Sequence, residues 1–364
     1  MSPTVSVLMP VYNSQRYVAL AIESILGQSF QDFELIITDD GSNDTSLSIL
    51  KRYAEKDQRI RLISRENRGI SRTRNEMLWQ AKGEFVAVMD ADDIALPDRL
   101  TRQVMFLRQN PDVVCVGSSY QLIDEEGRLL LICFQLAEDD ATIQKQLLAG
   151  FGAIHQPTVM FRRVPAIAIG GYNQTMPVCE DLDLWMRLGE VGKLANLPQP
   201  LVQYRLHPNS ISEKNPSLEM EKAREACERA WKRRGIEGQF EAIGEWRPGS
   251  SQASRHRFML QYGWWAFNSG QRQTAMTYGW RAIKTLPFHL EGWRLLVCAA
   301  IKPLPTNQAE CFAKDRLDTI AGDRGVAGKQ YESKRNFEHT ASYPHSVTPE
   351  IGIRGKEGKP KESM

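Results

Sequence analysis

Residues 71–93 read SRTRNEMLWQAKGEFVAVMDADD, and the fold turns on this stretch. Ser71–Lys82 has the composition of a helix, and Gly83 closes it, glycine being favoured just past a helix end. Phe85–Met89 then runs apolar with no polar alternation, the signature of a strand buried on both faces. That strand delivers Asp90-Ala91-Asp92-Asp93 at its carboxyl end. The same grammar repeats outward. Val5–Val11 is an apolar run followed by a helix from Ser14, with Val18, Ala21, Ile22 and Ile25 at helical spacing. Glu34–Thr38 is a second strand, and Asp44 caps a helix carrying Leu47, Leu50 and Tyr53. Arg61–Ser64 is a third strand, and Pro97 opens a helix before a strand at Val113–Gly117. Alternating apolar strands and helices predict an α/β fold, with a mostly parallel central sheet covered by helices.

Beyond residue 120 the pattern loosens. A hairpin is expected over Gln121–Gln135 around Glu126-Gly127, a helix over Ala141–Ala149, and a strand at Thr158–Phe161. Asp181–Val191 reads as a helix with Leu184 and Leu188 on one face, Leu201–Leu206 as a last strand, and Glu219–Arg234 as a long charged helix. Six of the eight tryptophans lie between Trp231 and Trp293, so the next region has a composition of its own. There Gly263, Gly270, Ala275, Ala282 and Pro287 fall at the offsets of a tetratricopeptide-type hairpin, with Gly279 where a bulky aromatic is usual. Stable solenoids need about three repeats, so a single copy predicts a hairpin packed on the main domain. The chain is divided accordingly into a main domain at 1–235, a helical appendage at 236–302 and a polar tail at 303–364 with the composition of disorder.

The six cysteines (Cys115, Cys133, Cys179, Cys227, Cys298 and Cys311) are scattered, which predicts reduced thiols and a cytoplasmic protein. The N-terminal apolar run lacks a basic leader and reads as a strand. The apolar stretch Leu295–Ile301 is far short of the roughly 20 residues that cross a bilayer. The formal net charge is +2, there is no basic arm, and no nucleic-acid partner is expected. Arg229, Lys232, Arg233 and Arg234 end the long helix. They read either as a solvated helix end or as a platform for peripheral contact at the inner face of the plasma membrane.

Ligands of an open parallel sheet bind beyond the carboxyl ends of its strands. Strand one ends in Pro10-Val11-Tyr12-Asn13, strand two in Asp39-Asp40-Gly41-Ser42, and strand four in the acidic run. Like charges 4 Å apart repel by about 4 kcal/mol at an effective dielectric near 20. Some of these aspartates serve turns. For the rest, a hard divalent cation, Mn2+ or Mg2+, offsets the repulsion and keeps positions open for phosphate oxygens. Neither G-x-G-x-x-G after the first strand nor G-x-x-x-x-G-K-[ST] occurs, so a pyrophosphate is expected to meet metal and aspartate instead of a glycine cradle.

The ordered set VSVLMPVYN, ELIITDDGSNDTS, ENRGISRTRNEML, AKGEFVAVMDADD, HQPTVMFRR, GGY, CEDLDLWMRL and YRLHPNSIS resembles the inverting GT-A fold glycosyltransferases of glycosyltransferase family 2, over roughly residues 3–215. The resemblance implies that Asp39 hydrogen-bonds the nucleotide base while Pro10, Tyr12 and Asn13 line its pocket. Gly69, Arg74 and Asn75 border the nucleotide. Asp90, Ala91 and Asp92 belong to the nucleotide-sugar site, with Asp92 against the ribose and metal, and Asp90, Asp92, Asp93 and His207 are the candidates for the cation. Glu180 and Asp181 match the acidic pair that supplies the general base, Asp181 being favoured. His155 is a candidate on the acceptor side, and Trp185 is a candidate cover for the acceptor or donor sugar, equally well read as core.

The implied activity is a hexosyltransferase moving one sugar from a nucleotide-sugar donor, a UDP-sugar foremost, to a glycan or lipid-linked acceptor in cell-surface glycan synthesis. The sequence lacks the Q-x-x-R-W run of processive synthases. Two alternatives stand beside this one: a sugar nucleotidyltransferase, and a catalytically inactive nucleotide-sugar binder or scaffold.

Overall fold

The computed structural model describes residues 2–207, 216–242 and 251–304. The first half has strands β1 (Val5–Val11), β2 (Phe33–Asp40), β3 (Ile60–Arg65) and β4 (Phe85–Val88). They alternate with helices α1 (Val18–Leu26), α2 (Ser46–Ala54) and α3 (Ile70–Gln80). After a two-residue strand β5 (Ile94–Ala95) come α4 (Arg99–Gln109), β6 (Val113–Ile123), β7 (Leu129–Phe134) and α5 (Asp140–Leu148). Then follow β8 (Met160–Arg162), α6 (Arg163–Ala168), α7 (Glu180–Leu188), β9 (Lys193–Arg205) and α8 (Pro216–Arg234).

The sheet runs β3-β2-β1-β4-β8-β6-β9-β5, with β7 hung on β6. β3, β2, β1 and β4 are mutually parallel. β8 then lies antiparallel to both β4 and β6, so the strand direction changes beside β4. All four residues of β4 are buried, as its unbroken apolar sequence requires. Alternate residues of β1 feed opposite layers: Val5, Val7, Met9 and Val11 pack with α1 and α4, and Leu8 with α3 and α7. Truncating a side chain such as Leu8 in so closed a layer costs about 2–5 kcal/mol.

Several elements depart from the sequence reading. β9 starts eight residues before the expected strand, because Pro198 and Pro200 interrupt its apolar pattern. The register against β6 shifts opposite that segment, between Ser118 and Tyr120. β5 and α6 are too short to carry a readable period.

Residues 252–301 form three helices: α9 (Gln252–Asn268), α10 (Arg272–Thr285) and α11 (Leu290–Ile301). Phe258, Tyr262, Trp265 and Tyr278 pack with Tyr120, Leu122, Leu130, Val202 and Leu206 of the sheet. A Cβ on Gly279 would lie 3.2 Å from the backbone of Leu296, so close approach of α10 and α11 explains the missing aromatic. The polar tail from residue 305 lies outside the described residues, as do the last residues of the YRLHPNSIS run.

Candidate active site

The acidic turn after β4 and the start of α7 lie 90 residues apart in sequence, yet one guanidinium joins them. Arg74, on the first turns of α3, donates from Nη2 to Asp90 Oδ1 at 2.9 Å and from Nη1 to Glu180 Oε1. Its side chain is buried and also lies over the Tyr172 ring, 5.7 Å from the centroid. α3 is fixed at this height by Asn75, whose amide donates to Tyr172 O and accepts from Tyr172 N, both at 2.7 Å. Asn75 is therefore committed to the Tyr172 backbone. Ser71 Oγ donates to Met176 O at 2.7 Å, tying the same helix to the loop before α7.

Cys179, just before α7, adopts a left-handed backbone (φ 56°), as does Asn13 beyond β1 (φ 50°). A non-glycine residue there is uncommon and strained, and such positions concentrate at functional sites. The turn at Cys179 sets Glu180 and Asp181 on the first turn of α7, where the helix dipole favours carboxylates. Burial pushes the Glu180 carboxyl up to about 7, against the lowering pull of Arg74. Burial likewise raises Asp181 and Asp90, with Arg74 opposing in each case. Asp183 instead pairs with Arg187 at 2.7 Å, within the helix.

The three aspartates of the acidic turn separate. Asp90 is held by Arg74. Asp92 is part-exposed, and its Oδ2 lies 2.8 Å from His207 Nε2. Asp93 points inward, where Oδ1 accepts from Arg205 N at 2.8 Å, Oδ2 finds no partner, and burial pushes its carboxyl well up. Ala91 is buried between them in the apolar layer. Among the described residues no three His, Cys, Asp or Glu side chains form a ready-made metal cage. Asp92 and His207 nonetheless fit as the protein's share of a coordination shell. A carboxylate oxygen faces an imidazole nitrogen, and a cation bound there would take its remaining ligands from diphosphate and water. Asp93 has only Oδ1 held by Arg205 N, which leaves Oδ2 as a buried oxygen without a partner beside them.

At the end of β2 Asp39 is buried, with Oδ1 accepting from Ser42 N at 3.3 Å and Oδ2 from Ser64 Oγ at 3.1 Å. Asp40 organises the neighbouring loop: it pairs with Arg65 and accepts from Arg68 N at 2.9 Å and Gly69 N at 3.1 Å. Gly69 needs its positive φ (85°), and the space where a Cβ would stand is open. Pro10 is buried in β1, while Tyr12 is half exposed. Asn13 spans the two strand ends, donating from N to Ser42 Oγ (3.0 Å) and accepting at Oδ1 from Asn43 N (2.8 Å).

The chain as a whole is similar to known proteins. The family model described as glycosyl transferase family 2 matches residues 6–168. An uncharacterised glycosyltransferase of Haemophilus influenzae is 33% identical over 222 residues, covering 58% of this chain and 68% of that one. The O-antigen biosynthesis glycosyltransferase WbnJ of Escherichia coli is 34% identical over 214 residues, covering 57% of this chain and 81% of its own. The chain belongs to glycosyltransferase family 2. The crystal structure of S. aureus TarS 1-349 in complex with UDP-GlcNAc is similar at TM-score 0.48 and 18% identity, covering 82% of this chain and 79% of that one.

Two arginines of this glycosyltransferase that organise the site are not among the sequence candidates. Arg205 donates from Nε to Asp92 O at 2.7 Å and from Nη1 to Asp124 O at 3.1 Å, and lies over the Tyr17 ring at 4.6 Å. Arg99 is buried beneath β4, donating from Nη2 to Val88 O and Val159 O, and burial pushes it down to about 10. Arg205 stood inside the YRLH run, which could have signalled it; nothing marked Arg99. His155 is packed between Tyr120 (4.5 Å, stacked) and Tyr204 (4.3 Å, edge-on). Trp185 is wholly buried beside Phe161, which makes it core. No helix among the described residues is long and apolar enough to cross a membrane.

Proposed function

We propose that this glycosyltransferase is a metal-dependent inverting enzyme that moves a single sugar from a UDP-sugar to an acceptor hydroxyl in cell-surface glycan synthesis. The observation that carries this reading is the Arg74 bridge, which sets the acidic turn and the Glu180-Asp181 pair on either side of one buried cation. Arg74 fixes Asp90 and Glu180 and leaves the Asp181 carboxylate outside the ion pair. Asp181 is the general base: it takes the acceptor's hydroxyl proton as that oxygen attacks the anomeric carbon from the face opposite the diphosphate. The new bond joins the acceptor oxygen to the anomeric carbon, the bond to the phosphate oxygen breaks, and configuration inverts. A raised carboxyl is the stronger base, and it acts where it is ionised.

Asp39 receives the base of the nucleotide, with Pro10, Tyr12 and Asn13 around it and Gly69 at the open edge. Asp92 and His207 would hold Mn2+ or Mg2+, and such a cation would supply charge to offset the negative charge growing on the leaving diphosphate. The acceptor class rests on the likeness to WbnJ, a protein named for O-antigen biosynthesis. The test is the anomeric configuration of the product formed from an α-linked UDP-sugar, read by NMR. A β-linked product, absent with Asp181→Asn, is expected; an α-linked product would overturn the single-displacement reading.

A further inference from the structure

We infer that the helical unit 251–304 docks the enzyme on an anionic lipid surface through an apolar face made of Trp280, Phe288, Leu290, Trp293, Val297 and Ile301. Phe288, in the turn between α10 and α11, is 100% exposed; Leu290 is 78% and Ile301 77% exposed. On α11 the exposed apolar residues 290, 293, 297 and 301 line up as one stripe, while Gly292, Leu295 and Ala299 fill the opposite, buried face. Trp280 and Trp293 meet edge to face at 6.1 Å and extend the stripe onto α10. Trp293 Nε1 donates to Pro287 O at 3.0 Å, which holds the turn that presents Phe288. A helix with apolar residues on its inner side needs no second apolar stripe facing water, and contiguous exposed patches of this kind mark interaction surfaces.

Charge selects the partner. Residues 251–304 carry seven Arg or Lys residues (255, 257, 272, 281, 284, 294 and 302) against the single carboxylate Glu291, although the whole chain is only +2. Lys284 and Lys302 are exposed around the stripe, and Arg294 beside them is exposed as well while pairing with Glu291 at 3.4 Å. Aromatic and aliphatic side chains ringed by lysine and arginine suit the boundary between acyl chains and anionic headgroups. Residues 305–364, which follow directly, hold ten Lys or Arg against nine Asp or Glu and offer the cationic unit no complementary charge. A second copy would set cationic face against cationic face. The basic end of α8 is a poorer platform, because Arg233 pairs with Glu190 at 2.9 Å and Arg234 donates to Gln144 and to Met186 O.

The test is flotation of the full chain with vesicles of phosphatidylcholine alone and of phosphatidylcholine mixed with phosphatidylglycerol, at low and high salt. The chain should float with the mixed vesicles only, and salt should weaken binding. Phe288→Ser with Leu290→Ser, two side chains too exposed to hold the fold, should weaken it about tenfold or more. Donor turnover and thermal unfolding of that variant should match the parent, and the readout stays independent of the transfer chemistry. Absence of flotation, equal flotation with neutral vesicles, or undiminished flotation of the variant would overturn the inference. So would a dimer that the same substitutions convert to monomer without any vesicle binding.

Discussion

Replacing Arg74 with methionine removes the guanidinium between Asp90 and Glu180 while keeping an apolar stem of similar length. At a charge separation near 4 Å and an effective dielectric near 20, each pair contributes a gross attraction of about 4 kcal/mol. Desolvation of the guanidinium offsets part of this, and breaking one side of a buried pair costs about 3–5 kcal/mol net. The loss should depend on pH, and its sign follows from the carboxyls. Glu180 already titrates at about 7 with Arg74 opposing the rise, and Asp90 is raised as well. Without Arg74 both climb further.

A carboxyl with a folded pKa above its unfolded value stabilises below the unfolded value, and that stability is lost as pH rises through the folded one. The variant should therefore be close to the parent near pH 5 and worse by about 3–5 kcal/mol near pH 8. Urea unfolding of both proteins at the two pH values, reading midpoint and slope, measures this directly. An equal loss at both pH values, or less than about 1 kcal/mol near pH 8, refutes the bridge as the element holding the two acidic segments together.

Other outcomes follow from the same geometry. Asp181→Asn should lower kcat by about 10²–10⁴-fold with little change in donor KM, and steady-state kinetics with unchanged kcat would remove Asp181 from the base role. The profile of kcat/KM should rise with pH and level off above about 7, where Glu180 is ionised and holds Arg74; a profile flat from pH 5 to 8 contradicts this. Tyr278 donates its buried hydroxyl to Asp124 Oδ2 at 3.1 Å, so Tyr278→Phe should cost about 1 kcal/mol in urea unfolding while kcat holds. A neutral result there would mean that the hydroxyl does not brace the helical unit against the Asp124 turn.

What the sequence disclosed was what periodicity records. β1 matched its apolar run residue for residue, and β2, β3 and β4 fell within two residues of expectation, whereas β6 runs six residues past its expected end. β9 was under-read, because two prolines broke a strand that pairing with β6 sustains. The residues around the site were legible as types but not as partners. Nothing in the spacing says that Asp90, Asp92 and Asp93 part company, each meeting a different residue, Arg74, His207 and Arg205, with Asp93 doing so through one oxygen. Those partners lie 16 to 115 positions away in sequence, and long-range pairing leaves no local pattern. The basic end of α8 looked free in sequence and is largely bound to α7 and the segment after it.

The most direct test of the central claim is thermal unfolding with UDP, dTDP, GDP, ADP and CDP, each with and without Mn2+. A ligand at 100 times its Kd stabilises the folded state by about 2.7 kcal/mol, which is readily seen. UDP should raise the transition with Mn2+ present, and Asp92→Asn with His207→Ala should abolish the metal-dependent part. A transition indifferent to every diphosphate, with and without metal, would contradict the claim.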